Sequence, residues 1–312
     1  QLVGADYRVK TVTDASGTST FDYDTANRRT DVTNGLGQQW SYFYDAADQL
    51  IEVQSPAVNG QRLSTRYAYD SQGNVLQVTD GRGNTVTYGY DVNGNRILER
   101  DTRGNTVTRT FSASNQLLNE IRYSVPATWN AATSTWTEPP ASAAQVTRYA
   151  YDSQNRLRYV IDATGGVTEH RYTSNGLRTR EVRYIGPGFN LDGLAATAGP
   201  STGQLNTWAA AYNKTQTQLT EMVYDYRGNL SLRIAYATVD ASGNGVIDAA
   251  GIGTQYIYSE HGQLLQSIAL RGETRTNKYV LSSALYDGMG RMLGQIDSNG
   301  LRTYANAHRA TS

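Results

Sequence analysis

Residues 69–90, YDSQGNVLQVTDGRGNTVTYGY, contain one complete structural unit and the start of the next. Gly73-Asn74 and Asp80-Gly81-Arg82-Gly83 are turn signals, because glycine and asparagine accept the positive φ of tight turns. The segments 75–79 and 85–90 between and after these turns are rich in β-branched and aromatic residues, which favour half-buried strands. The stretch therefore predicts one β-hairpin with two strands of about six residues each.

The unit repeats along the chain with a period of 21 residues, as the steps from Tyr23 to Tyr44, from Tyr69 to Tyr90 and from Tyr151 to Tyr172 show. A fixed period indicates one structural unit used many times. The Tyr-Asp dipeptide stands at Tyr23-Asp24, Tyr44-Asp45, Tyr69-Asp70, Tyr90-Asp91, Tyr151-Asp152, Tyr224-Asp225 and Tyr286-Asp287. Because open twisted sheets rarely exceed about ten strands, we predict an all-β fold of repeated antiparallel hairpins in a curved strip or a spiralling hollow shell.

Turn residues recur at fixed offsets from the tyrosine. A glycine stands fourteen residues after it at Gly37, Gly83, Gly104, Gly165 and Gly300, and an Asn or Asp stands eleven residues after it at Asn34, Asp80, Asp101, Asp162 and Asp297. Fixed turns with apolar residues between them set the register of successive hairpins. The repeated aspartates are interpreted as structural, because their side chains can accept backbone N–H groups in turns.

Composition limits the class of protein. The 312 residues have a formal net charge of zero, which argues against a nucleic-acid binder that neutralises phosphates. The absence of cysteine excludes disulfides and cysteine-ligated metals. No apolar run approaches the roughly 20 residues of a membrane-spanning helix. Tyr7 to Asp24 already reads as part of a repeat rather than as a signal peptide, and we expect the chain to be a segment of a longer protein.

Three insertions interrupt the single array that we predict over residues 1–312, at about 123–146, 186–220 and 238–253. In the second, Leu205, Trp208, Ala209 and Tyr212 have the spacing of one helix face. This predicts a short helix over about 203–215, capped by Ser201 or Thr202. The helix is interpreted as a brace on a sheet, and the alternative is a helix that docks a partner.

The third insertion resembles a calcium loop in part. Asp240, Ser242, Asn244 and Asp248 supply oxygen atoms at positions 1, 3, 5 and 9 of such a loop. The twelfth position is Gly251 rather than a bidentate acid, and helical flanks are missing. Ca²⁺ is therefore one interpretation of this segment, and a polar hairpin tip is the other; no other cofactor is predicted.

The sequence offers no candidate catalytic residue. His170, His261 and His308 belong to no shared motif, and neither a serine elbow, nor a phosphate loop, nor zinc-ligand spacing occurs. A pair of carboxylates could act as in a glycosidase. An active site is needed once, however, whereas these aspartates recur in every unit, so the sequence does not predict an enzyme.

The pattern Tyr-Asp-x-x-Gly-Asn-x-Leu-x-x-Val-x-Asp-x-x-Gly-Asn-x-x-x-Tyr-x-Tyr-Asp resembles the RHS or YD repeat of bacterial polymorphic toxins, the C component of Tc toxins, and teneurins. The copies that begin at Tyr69 and Tyr90 match it closely. This resemblance implies a strip of hairpins that spirals into a hollow shell around a C-terminal toxin domain. The family's autocleavage segment contains Asp-Pro, and this chain has no such dipeptide, so no catalytic residue is carried over.

Three functions compete at this stage. The first is part of an encapsulating shell in a secreted or cell-surface bacterial toxin, whose partners are the rest of its parent chain with the enclosed toxin domain, or neighbouring chains. The second is an adhesin or carbohydrate-binding surface with exposed tyrosines that stack on sugars. The third is an enzyme, which would require converging titratable groups.

Overall fold

A computed structural model describes residues 2–3, 8–14, 17–248, 251–272, 277–300 and 302–304. Tyr7 and His308 lie outside the described residues. Among the described residues, no helix is both long and apolar enough to pass through a membrane.

The described residues form antiparallel strands in an almost unbroken succession, with one α-helix and two short 3₁₀ turns. The strands are β1 (Leu2–Val3), β2 (Arg8–Val9), β3 (Thr11–Asp14), β4 (Gly17–Asp24), β5 (Arg29–Thr33), β6 (Gln39–Tyr44), β7 (Leu50–Gln54), β8 (Ser64–Tyr69), β9 (Val75–Thr79), β10 (Thr85–Tyr90), β11 (Arg96–Asp101), β12 (Thr106–Phe111), β13 (Leu117–Tyr123), β14 (Thr128–Asn130), β15 (Thr135–Thr137), β16 (Ala144–Tyr151), β17 (Leu157–Ile161), β18 (Val167–Tyr172), β19 (Arg178–Tyr184), β20 (Thr217–Tyr224), β21 (Leu230–Tyr236), β22 (Thr238–Val239), β23 (Gly245–Val246), β24 (Ile252–Tyr258), β25 (Leu264–Arg271), β26 (Asn277–Tyr286), β27 (Met292–Asp297) and β28 (Arg302–Tyr304). The α-helix is α1 (Thr202–Ala211), and the 3₁₀ turns are Ala141–Ala143 and Lys214–Gln216. The prediction of an all-β hairpin repeat with one inserted helix is confirmed.

The chain packs as two compact units, residues 1–145 (unit 1) and 146–312 (unit 2). In unit 1, strands β3 to β13 pair antiparallel in sequence order. In unit 2, strands β16 to β28 do the same, except that β21 pairs with β24 while β22 and β23 form a separate hairpin. Pairing between sequence neighbours follows from short turns, which leave no length for a crossover.

A β-bulge recurs where the first turn of the repeat meets its strand, in every copy from Tyr44 onward. In the quoted unit, Tyr69 pairs with Val75 while Ala68 pairs with Gln77, so that Leu76 is the extra residue. The register shifts in the same way at Tyr44, Tyr90, Phe111, Tyr151, Tyr172, Tyr224, Tyr258 and Tyr286. Because a bulge bends its strand and increases the local twist, the repeat applies the same bend once per hairpin.

Helix α1 begins with a capping box at Ser201. The Ser201 hydroxyl accepts the Gln204 N–H (3.2 Å), and the Gln204 side chain accepts the Ser201 N–H (2.8 Å). The helix ends at Ala211, four residues before the predicted end, because Tyr212 takes an extended conformation (φ −68°, ψ 143°). Asn213 then caps the following 3₁₀ turn by accepting the Thr215 N–H (3.2 Å), which closes the helix at this point.

The hydrophobic core lies in unit 2, on the sheet face that carries Tyr159, Glu169, Val182 and Leu219. These four residues are register partners on β17 to β20. We call this the covered face, because Leu205 of α1 packs into the same core and is fully buried. The core also contains Ala150, Ile161, Val167, Tyr184, Ala209 and Val239, with Phe189, Leu191, Trp208, Tyr212 and Tyr236 packed against it.

The first insertion places a hairpin of β14 and β15 between β13 and β16. Its Trp129 and Trp136 rings lie 5.4 Å apart. The buried Arg100 guanidinium lies 5.1 Å from the Trp136 ring centroid and forms an ion pair with Glu138 (2.5 Å). A cation over an aromatic face together with a charged hydrogen bond fixes this hairpin to β11.

Candidate functional site

Six of the seven Tyr-Asp dipeptides lead into a five-residue turn that the aspartate holds together. At Asp70, the N–H donates to the Asn74 carbonyl (2.9 Å), and the Gly73 N–H donates to the Asp70 carbonyl (3.1 Å). The Asp70 Oδ1 accepts the N–H groups of Gln72 (2.9 Å) and Asn74 (2.8 Å), and Asn74 Nδ2 donates to Oδ2 (2.9 Å). The carboxylate thus satisfies turn donors that the strands leave unpaired. We call this arrangement the Asp turn.

The second turn of each repeat has the same geometry. The Asp80 Oδ1 accepts the N–H groups of Arg82 (2.9 Å) and Asn84 (2.8 Å). The same pair of bonds, from residues two and four positions later, is made to Asp45, Asp91, Asp101, Asp152, Asp162, Asp225, Asp240 and Asp287. The aspartates of the repeat motif therefore lie in separate turns, where their carboxylates accept backbone N–H groups.

The turn after Tyr23 departs from this pattern. Asp24 pairs with Arg29, and its Oδ1 accepts the N–H of Asn27, three residues later (3.1 Å). The residue with positive φ is Arg28 (47°) rather than Asn27, which stands four residues after Tyr23 as Gly73 does after Tyr69. The loop lacks the bulge of the other copies, because Asp24 stays in register with the strand.

Hydrogen bonding keeps the turn carboxylates ionised. The side-chain amide of Asn74 holds the pKa of Asp70 below its ordinary value, and Asn84 and Asn95 do the same for Asp80 and Asp91. At neutral pH these carboxylates are therefore ionised, and they act as hydrogen-bond acceptors in their turns.

The repeat tyrosines join successive hairpins. The Tyr69 hydroxyl donates to the Leu50 carbonyl (2.7 Å), and Leu50 is the residue paired with the tyrosine of the preceding copy, Tyr44. Tyr90 bonds to Val75 (2.9 Å) in the same way. The hydroxyls of Tyr23, Tyr172, Tyr224 and Tyr286 also donate to carbonyls of earlier strands, those of Val9, Leu157, Arg178 and Leu264. The Tyr224 bond preserves this relation across the helical insertion.

The glycines fourteen residues after the tyrosine have positive φ but two different surroundings. Gly83 (85°) and Gly300 (75°) have open space where a Cβ would stand. The carbonyls of Gly104 and Gly165 instead accept the N–H groups of Ala127 (2.9 Å) and Phe189 (2.8 Å), and a Cβ on either glycine would collide with the insertion backbone. These two positions therefore anchor the first and second insertions.

Sequence reasoning missed the buried polar cluster on the covered face. Glu169 is 1% exposed and accepts bonds from Arg158 (2.5 Å), Arg171 (3.0 Å) and the Tyr184 hydroxyl (2.7 Å). The Tyr159 hydroxyl donates to Asn206 Oδ1 on α1 (2.7 Å). Burial acts to raise the pKa of Glu169, but the hydrogen bonds from Arg171 and Tyr184 outweigh it, so the pKa is lowered.

Two residues that differ from the repeat pattern could have revealed this cluster in the sequence. Glu169 stands in the column that holds Thr87 in the quoted copy, and Arg158 stands in the column that holds Leu76. An acid and a base that replace a threonine and a leucine in the same unit indicate a contact between them. The recurrent bulge makes Arg158 the extra residue of its strand, which turns its guanidinium toward Glu169.

The side chains of His170 and His261 are not part of this cluster, although the His170 carbonyl accepts a bond from Arg158 (2.9 Å). His170 is buried beside Glu169 in sequence, burial lowers its pKa, and its Nδ1 lies 3.7 Å from Glu181; His261 is exposed in a turn. Among the described residues, no group of three or more His, Cys, Asp or Glu side chains could hold a metal ion.

The calcium interpretation can be compared with the positions of its residues. Asp240, Ser242 and Asn244 form an Asp turn at the tip of the β22–β23 hairpin. Asp248 accepts bonds from Thr238 Oγ1 (3.1 Å) and the Gly251 N–H (2.8 Å). A calcium ion would compete with these bonds, and its binding stays a prediction.

The fold and the Asp turns define a β-hairpin repeat protein. The RHS Repeat family model matches residues 6–39, 26–57, 44–85 and 69–106, so the region 6–106 consists of RHS repeats and the resemblance is confirmed. No curated protein sequence matches the chain.

Solved structures extend the likeness to nearly the whole chain. TcdB2-TccC3 without its hypervariable C-terminal region matches 96% of this chain and 15% of that chain, with a TM-score of 0.56 and 15% identity. The Photorhabdus luminescens Tc holotoxin pore with a TccC3 mutation matches 97% of this chain and 16% of that chain, with a TM-score of 0.56 and 14% identity. The chain thus has the fold of part of these Tc toxin chains and spans about a sixth of their length.

Proposed function

We propose that this chain builds part of a β-shell that encloses a C-terminal toxin or effector in a secreted bacterial toxin. The observation that carries the proposal is the fold likeness to TcdB2-TccC3 over 96% of the chain. The RHS repeats at residues 6–106 support it independently. Its partners would be the rest of the parent chain, the enclosed domain and, if the parent assembles, neighbouring chains.

The burial pattern of unit 1 supports a wall rather than a closed core. Ile121, Ala127 and Ala143 are the buried apolar residues among the described part of unit 1. Most of its strand residues are half-buried, and in β10 half-buried residues lie on both faces of the sheet. A sheet with this pattern can face water or an enclosed chain, because neither of its faces needs to be fully buried. The Asp turns stabilise it at the ends of its strands.

The polar groups of the repeat support a structural role without catalysis. The carboxylates of the Asp turns are engaged by backbone N–H groups, and the Glu169 carboxylate is engaged by two arginines and a tyrosine. A general acid or base needs a proton that it can exchange with substrate. We therefore assign this segment to the shell and not to an active site.

A carbohydrate-binding surface is the second candidate, and exposed aromatic side chains favour it. Trp129 is 48% exposed on its hairpin and Tyr226 is 88% exposed. The repeat tyrosines themselves favour the shell, because those such as Tyr69 and Tyr90 are half-buried and use their hydroxyls for bonds between hairpins.

The test uses the full-length parent protein in limited proteolysis and cryo-EM. We expect the domain that follows the repeats to resist protease in the intact protein and to become sensitive at a denaturant concentration that opens the β-sheet. Cryo-EM should show its density inside the repeat region. Equal protease sensitivity before and after opening, with density outside the repeats, would overturn the shell.

The same protein preparation can be used to test whether the chain is a carbohydrate-binding surface. Binding to a glycan array that is lost in Trp129→Ala and retained in Tyr69→Phe would favour an adhesive surface. A protected C-terminal domain without glycan binding would favour the shell alone.

A further inference from the structure

A small cavity of about 70 Å³ lies on the covered face of unit 2, where the segment after α1 and the β22–β23 hairpin approach the sheet. Its floor includes Arg171 on β18 and Arg180 on β19. Lys214, which follows the helix, and Ser242 at the hairpin tip form part of its walls. Three cationic side chains line this cavity, and none of its lining residues is acidic.

The two arginines are direct cross-strand partners. Arg171 pairs with Arg180 in the β18–β19 register. Like charges directly opposite each other on one face of an antiparallel pair are destabilising. An anion bound between two guanidinium groups is attracted to both of them and offsets their mutual repulsion. Binding at this position would therefore stabilise the sheet.

The acids around the cavity do not balance its cations. Glu169 is shared between Arg158 and Arg171, and Glu221 forms an ion pair with Arg180 (2.7 Å). These two carboxylates therefore serve the two arginines of the cavity and also Arg158, which does not line it. The ammonium group of Lys214 adds a further positive charge, since it donates to the carbonyls of Ala209, Ala210 and Tyr212 and not to a carboxylate.

Hydrogen-bond donors remain for a ligand. Arg171 uses Nε and Nη2 for Glu169, and Arg180 uses Nη2 for Glu221. Within the described part of the chain, Arg171 Nη1, Arg180 Nη1 and the Ser242 hydroxyl have no partner. The backbone N–H of Ser242, in contrast, donates to Asp240 Oδ1 (2.9 Å). The turn therefore does not depend on the Ser242 hydroxyl, which stays available to a ligand.

We propose that this cavity binds a small oxyanion, either free inorganic phosphate or sulfate or the phosphoryl group of a larger molecule. The volume of about 70 Å³ exceeds the roughly 30 Å³ that one water occupies in the liquid and suits one tetrahedral anion. Guanidinium groups bind such anions through paired N–H donors. The bound anion would connect the sheet, through its two arginines, to the β22–β23 hairpin, through Ser242.

The experiment is a titration of the full chain with inorganic phosphate at constant ionic strength, followed by isothermal titration calorimetry and thermal unfolding. We expect saturable binding and a rise in Tm that sodium chloride at the same ionic strength does not reproduce. Sulfate should compete with phosphate. An identical response to phosphate and chloride would overturn the proposal, since it would show screening alone.

Matched variants locate the site. Arg180→Gln should weaken phosphate binding at least tenfold. Arg233→Gln should leave it unchanged, because Arg233 neighbours Ile234, the register partner of Glu221, and so lies on the other face of the sheet. Ser242→Ala removes one donor at an exposed turn position and should weaken binding a few-fold, which keeps the test valid if Arg180→Gln misfolds. Equal affinity of the unchanged chain and both cavity variants would overturn the site.

Phenyl phosphate distinguishes the two sources of the anion. Binding as tight as that of inorganic phosphate would assign the site to a phosphoryl group on a larger molecule. Binding only of inorganic phosphate would assign it to a free anion that stabilises the fold.

Discussion

At the residue scale, the Asp turn makes stability depend on acid pH. The ordinary pKa of Asp70 is 3.8, and its hydrogen bonds lower this value in the folded chain, as they do for Asp80 and Asp91. Because each folded-state pKa lies below the unfolded one, these carboxylates stabilise the fold above pH 3.8 and lose that contribution as the pH falls through the folded values.

We therefore predict that the free energy of unfolding falls steeply as the pH drops below the ordinary aspartate value of 3.8, since several turns titrate together. The triple variant D70N, D80N and D91N should show a flatter dependence, because asparagine keeps an acceptor oxygen but does not titrate. Denaturant unfolding at a series of pH values measures this. A parallel dependence in the variant and the unchanged chain would contradict the assignment.

The second prediction at this scale compares two glycines with the same backbone conformation. Gly83→Ala should cost about 1–2 kcal/mol, because alanine is strained at positive φ. Gly104→Ala should cost several kcal/mol, because the new Cβ also meets the Ala127 carbonyl that anchors the first insertion. Chemical denaturation of both variants gives the difference, and equal losses would show that the insertion is not anchored there.

At the element scale, the hydroxyls of several repeat tyrosines join their hairpins to the preceding ones. Tyr69→Phe removes the bond to the Leu50 carbonyl and should cost about 0.5–1.5 kcal/mol. Tyr44→Phe is the control, because no hydroxyl bond of Tyr44 is present among the described residues, and its cost should be close to zero. Hydrogen exchange near Leu50 should rise only in Tyr69→Phe; a rise in both variants would point to packing instead.

Helix α1 is stabilised by a second source, the hydrophobic core that it forms with the sheet. Leu205 is fully buried between α1 and the sheet, so Leu205→Ala should cost about 2–5 kcal/mol. Ala210 lies on the exposed side of the same helix, and Ala210→Ser should change stability by less than about 0.5 kcal/mol. Thermal and denaturant unfolding of both variants tests whether the helix braces the sheet. A helix whose role is to dock a partner would tolerate either substitution without loss of stability.

At the scale of the whole molecule, the two units differ in how they are stabilised. Unit 2 buries Tyr159, Ile161, Val167 and Leu205 at 1% exposure or less, whereas unit 1 relies on turns, strand pairing and half-buried side chains. Repeat arrays unfold in parts, because each unit contacts mainly its neighbours.

We predict that amide hydrogen exchange is slowest in β17 to β19 and faster throughout β5 to β10. Leu205→Ala should accelerate exchange in unit 2 and leave unit 1 unchanged. Uniform exchange across both units would show that the chain unfolds as one cooperative body, contrary to the distribution of its core.

The amino-acid sequence by itself determined the hairpins, their turns and their order. These features depend on interactions within about five residues, as between Asp70 and Asn74, and a 21-residue period shows such interactions repeatedly. The short inserted helix could be predicted for the same reason, since its face and its capping residue, Ser201, are local.

Only the tertiary structure decided the roles of the residues and insertions that differ from the regular repeat. The bulge beside each Tyr-Asp pair, the choice of Gly104 and Gly165 as anchors, the Glu169 cluster and the Arg171–Arg180 pair arise from contacts between separate strands or insertions. Their energies depend on register, burial and the approach of distant backbone. A local pattern fixes none of these quantities, because they are set only when the strands and insertions pack together.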